Sequence, residues 1–347
     1  MKEGTTHENI IIFEEKPYVS QLRPGSRLAC AHCLHTKLEL EDLSPHFEGQ
    51  FPFLYPEHEE KHIWFACPHC SEKYCTESCR GQAAVKYHEL LCTASPWWTA
   101  SHKNDPVVHP MQAVLNLCLE GKPHFINPLL ISRMVSGIIS HIASQHGTQQ
   151  SIEEALEPYR LFSAGEKASK HVASITITCL RALYHCKYNG QSELLKALDE
   201  VVTEDLYHEL HGIISRNAHH LNPLSDFHLF LEGLNPINQV LLVSHYNEHI
   251  TPSDFVQSDW MKNLTVEGTG LFEVANSINH SCEPNSMIVH CNADYTISVV
   301  SRVPIEHGTE LTISYIDETL PKAERQAKLK EFYGFECKCR KCLLEPQ

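Results

Sequence analysis

Cys282 lies in the run Asn279-His280-Ser281-Cys282-Glu283-Pro284-Asn285. More than fifty residues downstream, Cys337, Cys339 and Cys342 are packed as C-x-C-x-x-C. Three thiolates at that spacing are one donor short of a closed tetrahedral zinc site, which takes four nitrogen or sulfur ligands, and Cys282 is the natural fourth. Such a bond would pin the end of the chain against the NHSCEPN segment. A second group lies near the start: Cys30 and Cys33 form one C-x-x-C, Cys67 and Cys70 another, and Cys75, Cys79, His88 and Cys92 follow. Eight ligands close two tetrahedral sites with none left over, and order alone permits sequential or interleaved pairing. Cys75 and Cys79 are four apart, as are His88 and Cys92, so each pair would share one face if helical. The remaining Cys118, Cys179, Cys186 and Cys291 show no such spacing and read as small buried apolar residues.

The order of these segments carries a resemblance. An NHSC-x-PN segment, then Gly308-Thr309-Glu310-Leu311-Thr312-Ile313-Ser314-Tyr315, then a cysteine cluster after Tyr333-Gly334-Phe335-Glu336, resembles the core of SET-domain protein-lysine methyltransferases. The eight-ligand pattern resembles a MYND zinc finger, and a MYND finger inside a SET domain is the layout of the SET-and-MYND (SMYD) family. Ala29-Cys30-Ala31-His32-Cys33-Leu34, Cys67-Pro68-His69-Cys70 and Tyr74-Cys75 look most like that family's divergent fifth vertebrate branch, which also has a long finger insert. The resemblance spans essentially the whole chain. It implies interleaved sites, one of Cys30, Cys33, Cys75 and Cys79 and another of Cys67, Cys70, His88 and Cys92. With Cys282, Cys337, Cys339 and Cys342, that makes three zinc ions.

The resemblance further implies S-adenosyl-L-methionine as cofactor. Asn279 and His280 would meet its methionine and adenine ends, with Phe335 packed on the adenine. Read from the residues alone, Asn279 and His280 could instead satisfy buried backbone groups beside a metal ligand. Tyr315 matches the active-site tyrosine, which orients the amine and the transferring methyl, and Tyr333 would form another wall of the lysine channel. Tyr333 and Phe335 could equally be core aromatics beside zinc. The physical problem such a channel solves is clear. A lysine ammonium, with a reference pKa of about 10.4, has no lone pair and must first lose a proton. A narrow aromatic channel disfavours the charged form.

The implied activity is protein-lysine N-methylation of histone or non-histone (for example ribosomal) proteins, with proline-containing peptides as further partners at the finger. The alternative is a catalytically impaired adaptor that recruits partners through the finger. The K-G-x-G-L-type segment with which the family's cofactor pocket normally begins has no counterpart in Met1-Lys2-Glu3-Gly4-Thr5-Thr6. The chain also ends five residues after Cys342, without the helical extension of other family members. The expectation is a pocket short of some backbone groups and an exposed sheet edge. No G-x-G-x-x-G is present, and Gly268-x-Gly270 is too short to signal a nucleotide fold.

These residues need an α+β frame: a SET-domain β fold split by a MYND zinc finger and a helical insert, with a zinc-bound post-SET segment. The expected boundaries are 1–25 for the N-terminal SET remnant and 26–95 for the finger, with the helical insert at 96–265. Core SET then occupies 266–317 and the post-SET segment 318–347. Ile10-Ile11-Ile12-Phe13-Glu14-Glu15-Lys16-Pro17 reads as a strand ending at proline, and residues 221–265 as ambiguous between helix and loop. Apolar residues recur at helical spacing from Met111 to about Leu210, as in Ala113, Val114, Leu117 and Cys118, then Leu129, Leu130, Met134, Val135 and Ile138. Strand character returns at Leu271-Phe272, Ile297–Val300 and Leu311–Tyr315, and a last helix runs from Lys322 to Phe332. The segment between Cys33 and Cys67, with Pro45, Pro52 and Pro56, reads as a surface loop.

A net charge of −15 argues against direct DNA binding, which depends on basic patches, and would suit a basic protein substrate or simply solubility. Fifteen cysteines in metal-like clusters suggest a reducing compartment, nucleus and/or cytoplasm. No apolar run is long enough for a membrane span. Of 25 histidines, His46, His58, His62, His102, His109, His219 and His220 lack ligand spacing and read as surface or packing positions.

Overall fold

A computed structural model describes residues 9–24, 29–36, 63–103, 107–120, 127–163, 165–223 and 266–345. The proline-bearing part of the finger insert and the ambiguous stretch from 224 lie outside the described residues. Among those described, three regions pack around one another: a set of short sheets, a metal-ligand finger and a helical block.

The expected first strand is β1 (Ile11–Glu15), which ends before Pro17 because proline cannot continue the ladder. It pairs antiparallel with β9 (Ile297–Ser301), whose other side pairs with β8 (Ser286–Val289). A second sheet runs β2 (Val19–Leu22), β6 (Gly268–Leu271), β5 (His219–Leu221). Gly268 and Gly270 are strand residues in it. A Cβ on Gly268 would lie 2.4 Å from Leu34 Cδ2 and 2.8 Å from the Gln21 carbonyl, so glycine permits the finger to close on the sheet. The third pairing is the parallel contact of β7 (Asn279–His280) with β10 (Thr312–Ile313), in register Asn279 to Thr312 and His280 to Ile313. Here the structure trims an expectation. The run Leu311–Tyr315 is strand for only two residues, and Tyr315 stands just beyond it.

The finger contributes the hairpin β3 (Phe65–Ala66) and β4 (Lys73–Tyr74), then α1 (Glu77–Ala83). Helix α1 continues through a π-helical turn, Ala84–His88, into a last turn at Glu89–Leu91. The shared helical face expected for Cys75 and Cys79 is not what forms. Thr76 is the extended N-cap, accepting from Cys79 N–H at 3.0 Å, so Cys75 precedes the helix and Cys79 sits in its first turn. Cys92 likewise is the extended residue closing the helix, its N–H donating to His88 O.

The helical block comprises α2 (Pro96–Ser101), α3 (Pro110–Glu120), α4 (Asn127–Ser144), α5 (Gln149–Leu156), α6 (Lys170–Lys187), α7 (Ser192–Val201) and α8 (Glu204–Asn217). In α4 the buried residues Leu130, Ile131, Met134, Val135, Ile138, Ile139 and Ile142 follow the helical period, and they form the main apolar core with α6 and α8. Ala113, read as part of the apolar stripe, is instead exposed, while Val114 and Cys118 are buried. Arg133 of α4 is the rivet to the finger. Its guanidinium donates to Ser20 O of β2 at 2.6 Å and Ala31 O of the finger at 2.9 Å, and lies 4.1 Å over the Tyr87 ring.

The helix expected from Lys322 to Phe332 is α9 (Lys322–Tyr333), which ends at Gly334 in the left-handed conformation, φ 76°, a C-cap that favours glycine. It is followed by the short α10 (Arg340–Leu344), which carries Cys342.

Candidate active site and metal centres

The twelve predicted ligands fall into three groups. Cys30, Cys33, Cys75 and Cys79 come together; so do Cys67, Cys70, His88 and Cys92; so do Cys282, Cys337, Cys339 and Cys342. Within each group the ligand atoms lie within 4.8 Å of one another. The finger therefore pairs its ligands in the interleaved way. Individual separations are 3.4 Å for Cys33 to Cys75, 3.9 Å for Cys67 to Cys92 and 3.5 Å for Cys282 to Cys342. A tetrahedron of metal–sulfur bonds near 2.3 Å has edges of about 3.8 Å, so the cages are the right size for zinc and far too open for disulfides. Backbone donors add to the fit, with His69 N–H aimed at Cys67 Sγ and Cys339 N–H at Cys337 Sγ, each at 3.4 Å. The clusters are thus compatible with a MYND finger and a post-SET zinc site.

The other four cysteines divide. Cys118 and Cys179 are buried as expected, but Cys186 is half-buried and Cys291 is exposed, its sulfur 3.0 Å from Ser298 Oγ. Cys291 is exposed because it follows the end of β8, where the chain leaves the sheet.

The third cluster borders a cavity of about 620 Å³. One wall is β7, held by motif residues whose role is mechanical. Asn285 takes the Thr312 N–H on its side-chain oxygen at 2.8 Å and donates to Glu310 O at 2.8 Å, tying the NHSCEPN turn to β10. Glu15, at the end of β1, accepts the N–H groups of Glu273, Val274 and Ala275 at 2.8–2.9 Å and so fixes the turn leading into Asn279. That carboxylate was invisible in the sequence, because its partners lie about 260 residues away.

Asn279 lines the cavity, and its amide donates to Glu310 Oε1 at 2.7 Å. Tyr315, Tyr333 and Phe335 line it too. The Tyr315 and Tyr333 rings are 4.9 Å apart, and Phe335 stands edge-on to Tyr315 at 6.5 Å. The Tyr315 hydroxyl donates to Ile278 O at 2.6 Å, leaving its own lone pairs to accept. Burial raises the Tyr315 phenol above its ordinary pKa, with Tyr333 adding to the effect, and burial raises Tyr333 likewise, so both stay protonated at neutral pH.

His280 is placed differently. Its ring stands behind the wall, between the Tyr315 backbone N–H at 3.0 Å and Cys282 Sγ at 3.2 Å, and burial pushes its pKa down to about 4. Read from the sequence as cofactor contacts, Asn279 and His280 thus part company: one faces the cavity, the other the metal cluster.

Residues the sequence reading assigned to no site complete the cavity, among them His219, which it read as a surface or packing position. Arg216 and Asn217 enter from the end of α8, His219 from β5, and Asn276 from the turn before β7. The Asn276 amide and the Arg216 Nε are buried without hydrogen-bond partners among the described residues. Unpaired donors and an acceptor facing a cavity suit a polar, charged small molecule. Together with the aromatic end at Phe335, they fit S-adenosylmethionine, which carries an amino acid at one end and a nucleoside at the other. The far mouth holds an ion pair between Arg302 and Glu318.

The fold and this constellation define a class. The SET domain family matches residues 138–316, just over half of the sequence, and the chain belongs to it. Relatives extend the match along the chain. The human protein named Protein-lysine N-trimethyltransferase SMYD5 is 25% identical over 361 residues, covering 96% of this chain and 81% of its own length. A Dictyostelium discoideum SET and MYND domain-containing protein is 25% identical over 97% of this chain and 78% of its own. The Arabidopsis thaliana Histone-lysine N-methyltransferase ATXR2 is 26% identical over 80% of this chain and 62% of its own. The SET-and-MYND organisation read from the cysteines is the one that the Dictyostelium relative's name states.

Proposed function

We propose that this chain is a protein-lysine N-methyltransferase that uses S-adenosylmethionine. The observation that carries the reading is the meeting of Tyr315, Tyr333 and Phe335 with Asn279 around one cavity, braced by a cysteine cluster. When bound, S-adenosylmethionine supplies a methyl group activated on a sulfonium.

The chain's residues do the rest. The Tyr315 and Tyr333 rings, 4.9 Å apart and tilted against each other, form one aromatic wall along which an alkyl chain can lie, and a buried aromatic wall disfavours the ammonium, lowering the lysine pKa towards neutrality. The Tyr315 oxygen, its proton committed to Ile278 O, offers lone pairs to the incoming amine. Orientation of this kind, which brings the reacting atoms to about 3–3.5 Å, is a large source of rate. Arg216, Asn217 and Asn276 would hold the cofactor's polar end and Phe335 its adenine. A basic protein of the histone or ribosomal class suits the chain's acidic balance, and the thiol clusters suit a reducing nucleus or cytoplasm.

Calorimetric titration with S-adenosylmethionine tests the reading, with Tyr315→Phe as the catalytic control. Micromolar binding by both proteins is expected, with methyl transfer to a lysine-rich protein lowered at least about 100-fold in the variant. Absence of binding by the zinc-loaded protein would sink the enzyme reading.

A second role is favoured by one observation. A cavity of about 620 Å³ between finger and helical block is lined by Tyr18, Tyr87, Tyr159 and Tyr295. Aromatic grooves of that kind accept proline-rich segments, so docking of a proline-containing peptide there is the adaptor function we assign to the finger side. Loss of peptide binding in Tyr18→Ala is the check, and unchanged binding would move the docking site elsewhere.

A further inference from the structure

We propose that His280 is a positioning residue that couples the third metal centre to Tyr315. Its geometry stands by itself; only its consequence for methyl transfer rests on the function proposed above.

The argument begins with one donor that has no choice. A backbone N–H can only donate, and that of Tyr315 points at His280 Nδ1 at 3.0 Å. Nδ1 must therefore be bare and accept, which places the ring's single proton on Nε2. That proton faces Cys282 Sγ at 3.2 Å, so the sulfur is the acceptor. A metal-bound thiolate is a charged acceptor, and charge-assisted hydrogen bonds are roughly twice as strong as neutral ones. A free thiol accepts weakly and can itself donate. Metal at Cys282, Cys337, Cys339 and Cys342 thus selects the Nε2–H form of His280, and that form is the one able to hold Tyr315.

Two of the three tethers on Tyr315 lead to the same centre. Its N–H runs through His280 to Cys282, and its carbonyl accepts from the Tyr333 hydroxyl at 3.3 Å, four residues before Cys337. The third, from its own hydroxyl to Ile278 O, stays within the sheet region. Outer partners of a metal ligand commonly orient the ligand; here the ligand, through its partner, orients an active-site backbone.

The experiment is a nitrogen-15 spectrum of histidine-labelled, zinc-loaded protein, with His280 assigned by the signals missing in His280→Gln. The Nε2–H form is expected. In Cys339→Ser/Cys342→Ser, brought to two zinc ions by elemental analysis, a mixture of both forms is expected, with hydrogen exchange at the Tyr315 amide at least tenfold faster. An Nδ1–H form in the loaded protein, or no change in the double variant, overturns the proposal. His280→Asn adds a reading that a merely structural role would not give. Its side-chain oxygen can still accept from Tyr315 but has lost the sulfur, so the dependence of Tyr315 protection on the third metal should shrink to the part carried by the Tyr333 tether. Dependence on metal as large as in the wild type overturns the coupling. Cadmium-substituted wild type avoids any folding defect: a through-bond coupling from the His280 proton to cadmium is expected, and its absence from a resolved signal counts against the link. If the His280 results hold while S-adenosylmethionine fails to bind, the function proposed above falls and the coupling stands.

Discussion

Arg325 shows what a single residue does that spacing could not reveal. It is only 1% exposed, yet it is a guanidinium that stays charged in any protein environment. It donates to Leu320 O at 2.5 Å, pairs with Glu345, and directs Nη2 to Cys342 Sγ at 3.7 Å. Four thiolates around a divalent metal carry a surplus of two negative charges, and a buried cation beside them offsets part of that surplus. Arg325→Met keeps the bulk and removes the charge. Zinc should then leave the third centre about tenfold faster, because outer partners typically matter by 10–100-fold, while the finger sites are unaffected. A chelator dye that reports zinc release in two phases would measure it; identical kinetics would make Arg325 a packing residue. The ligands themselves were legible because C-x-x-C and C-x-C-x-x-C write their chemistry into local spacing. Arg325, Glu15 and Arg216 were not, since each acts on partners brought near only by the finished fold.

At the scale of elements, long periodic helices and apolar strands were readable, whereas the junctions were not. Cys75 and Cys79 sit four apart as helical neighbours would, but Thr76 competes for the backbone as an N-cap and starts the helix one residue too late for Cys75. Strand β10 stops after Ile313, though β-branched and aromatic residues continue towards Tyr315. The reason is local: β10's only described partner, β7, is itself two residues long. The seam between finger and sheet is the clearest case. Gly268, in a Gly-x-Gly too short to signal a nucleotide loop, proves to be the place where Leu34 packs against β6. Gly268→Ala must displace Leu34 and press on the Gln21 carbonyl, which belongs to a strand and cannot yield as a side-chain tip can. A loss of about 1–3 kcal/mol is expected from overpacking, read from the denaturant midpoint. Gly81→Ala is the counterpart, since no described residue lies within 4 Å of the added carbon in helix α1. It should raise stability by about 0.5–1 kcal/mol. Equal effects in the two variants would mean that the finger does not need this close approach.

Over the whole molecule, stability has two independent sources, and metal removal should separate them. The main apolar core is built from α3, α4, α6, α7 and α8 with residues of α2 and α5, joined by Leu90 of the finger and Leu271 of β6, and among the described residues its members bury one another without any metal ligand in the cluster. The finger cluster is different, because seven of its nine buried members, all but Ala31 and Ala83, are cysteines or tyrosines gathered around the two cages, Cys30, Cys33, Cys67, Cys75, Cys92, Tyr74 and Tyr87. The post-SET cluster has, among the described residues, one fully buried aliphatic member, Leu329, beside Cys282, Cys337 and Cys342, with Ile316 partly buried against it. Clusters with so little apolar bulk cannot offset the entropy of ordering their loops, whereas structural zinc supplies roughly 10–16 kcal/mol of apparent binding energy. Elemental analysis should therefore find three zinc ions per chain, and two or fewer would remove one of the named sites. Stripping them with a strong chelator should leave most of the helical far-ultraviolet signal, carried by α3 to α8. Fast hydrogen exchange should then appear at β3, β4, α1 and the segment from Phe335 to Leu344. Cofactor binding should fail in the stripped protein, since Tyr333 and Phe335 lose the cluster that seats them beside Tyr315. A stripped protein that unfolds throughout would instead show that the helical block depends on the finger, with Arg133 the first contact to examine, because it joins α4 to both β2 and the Ala31 loop.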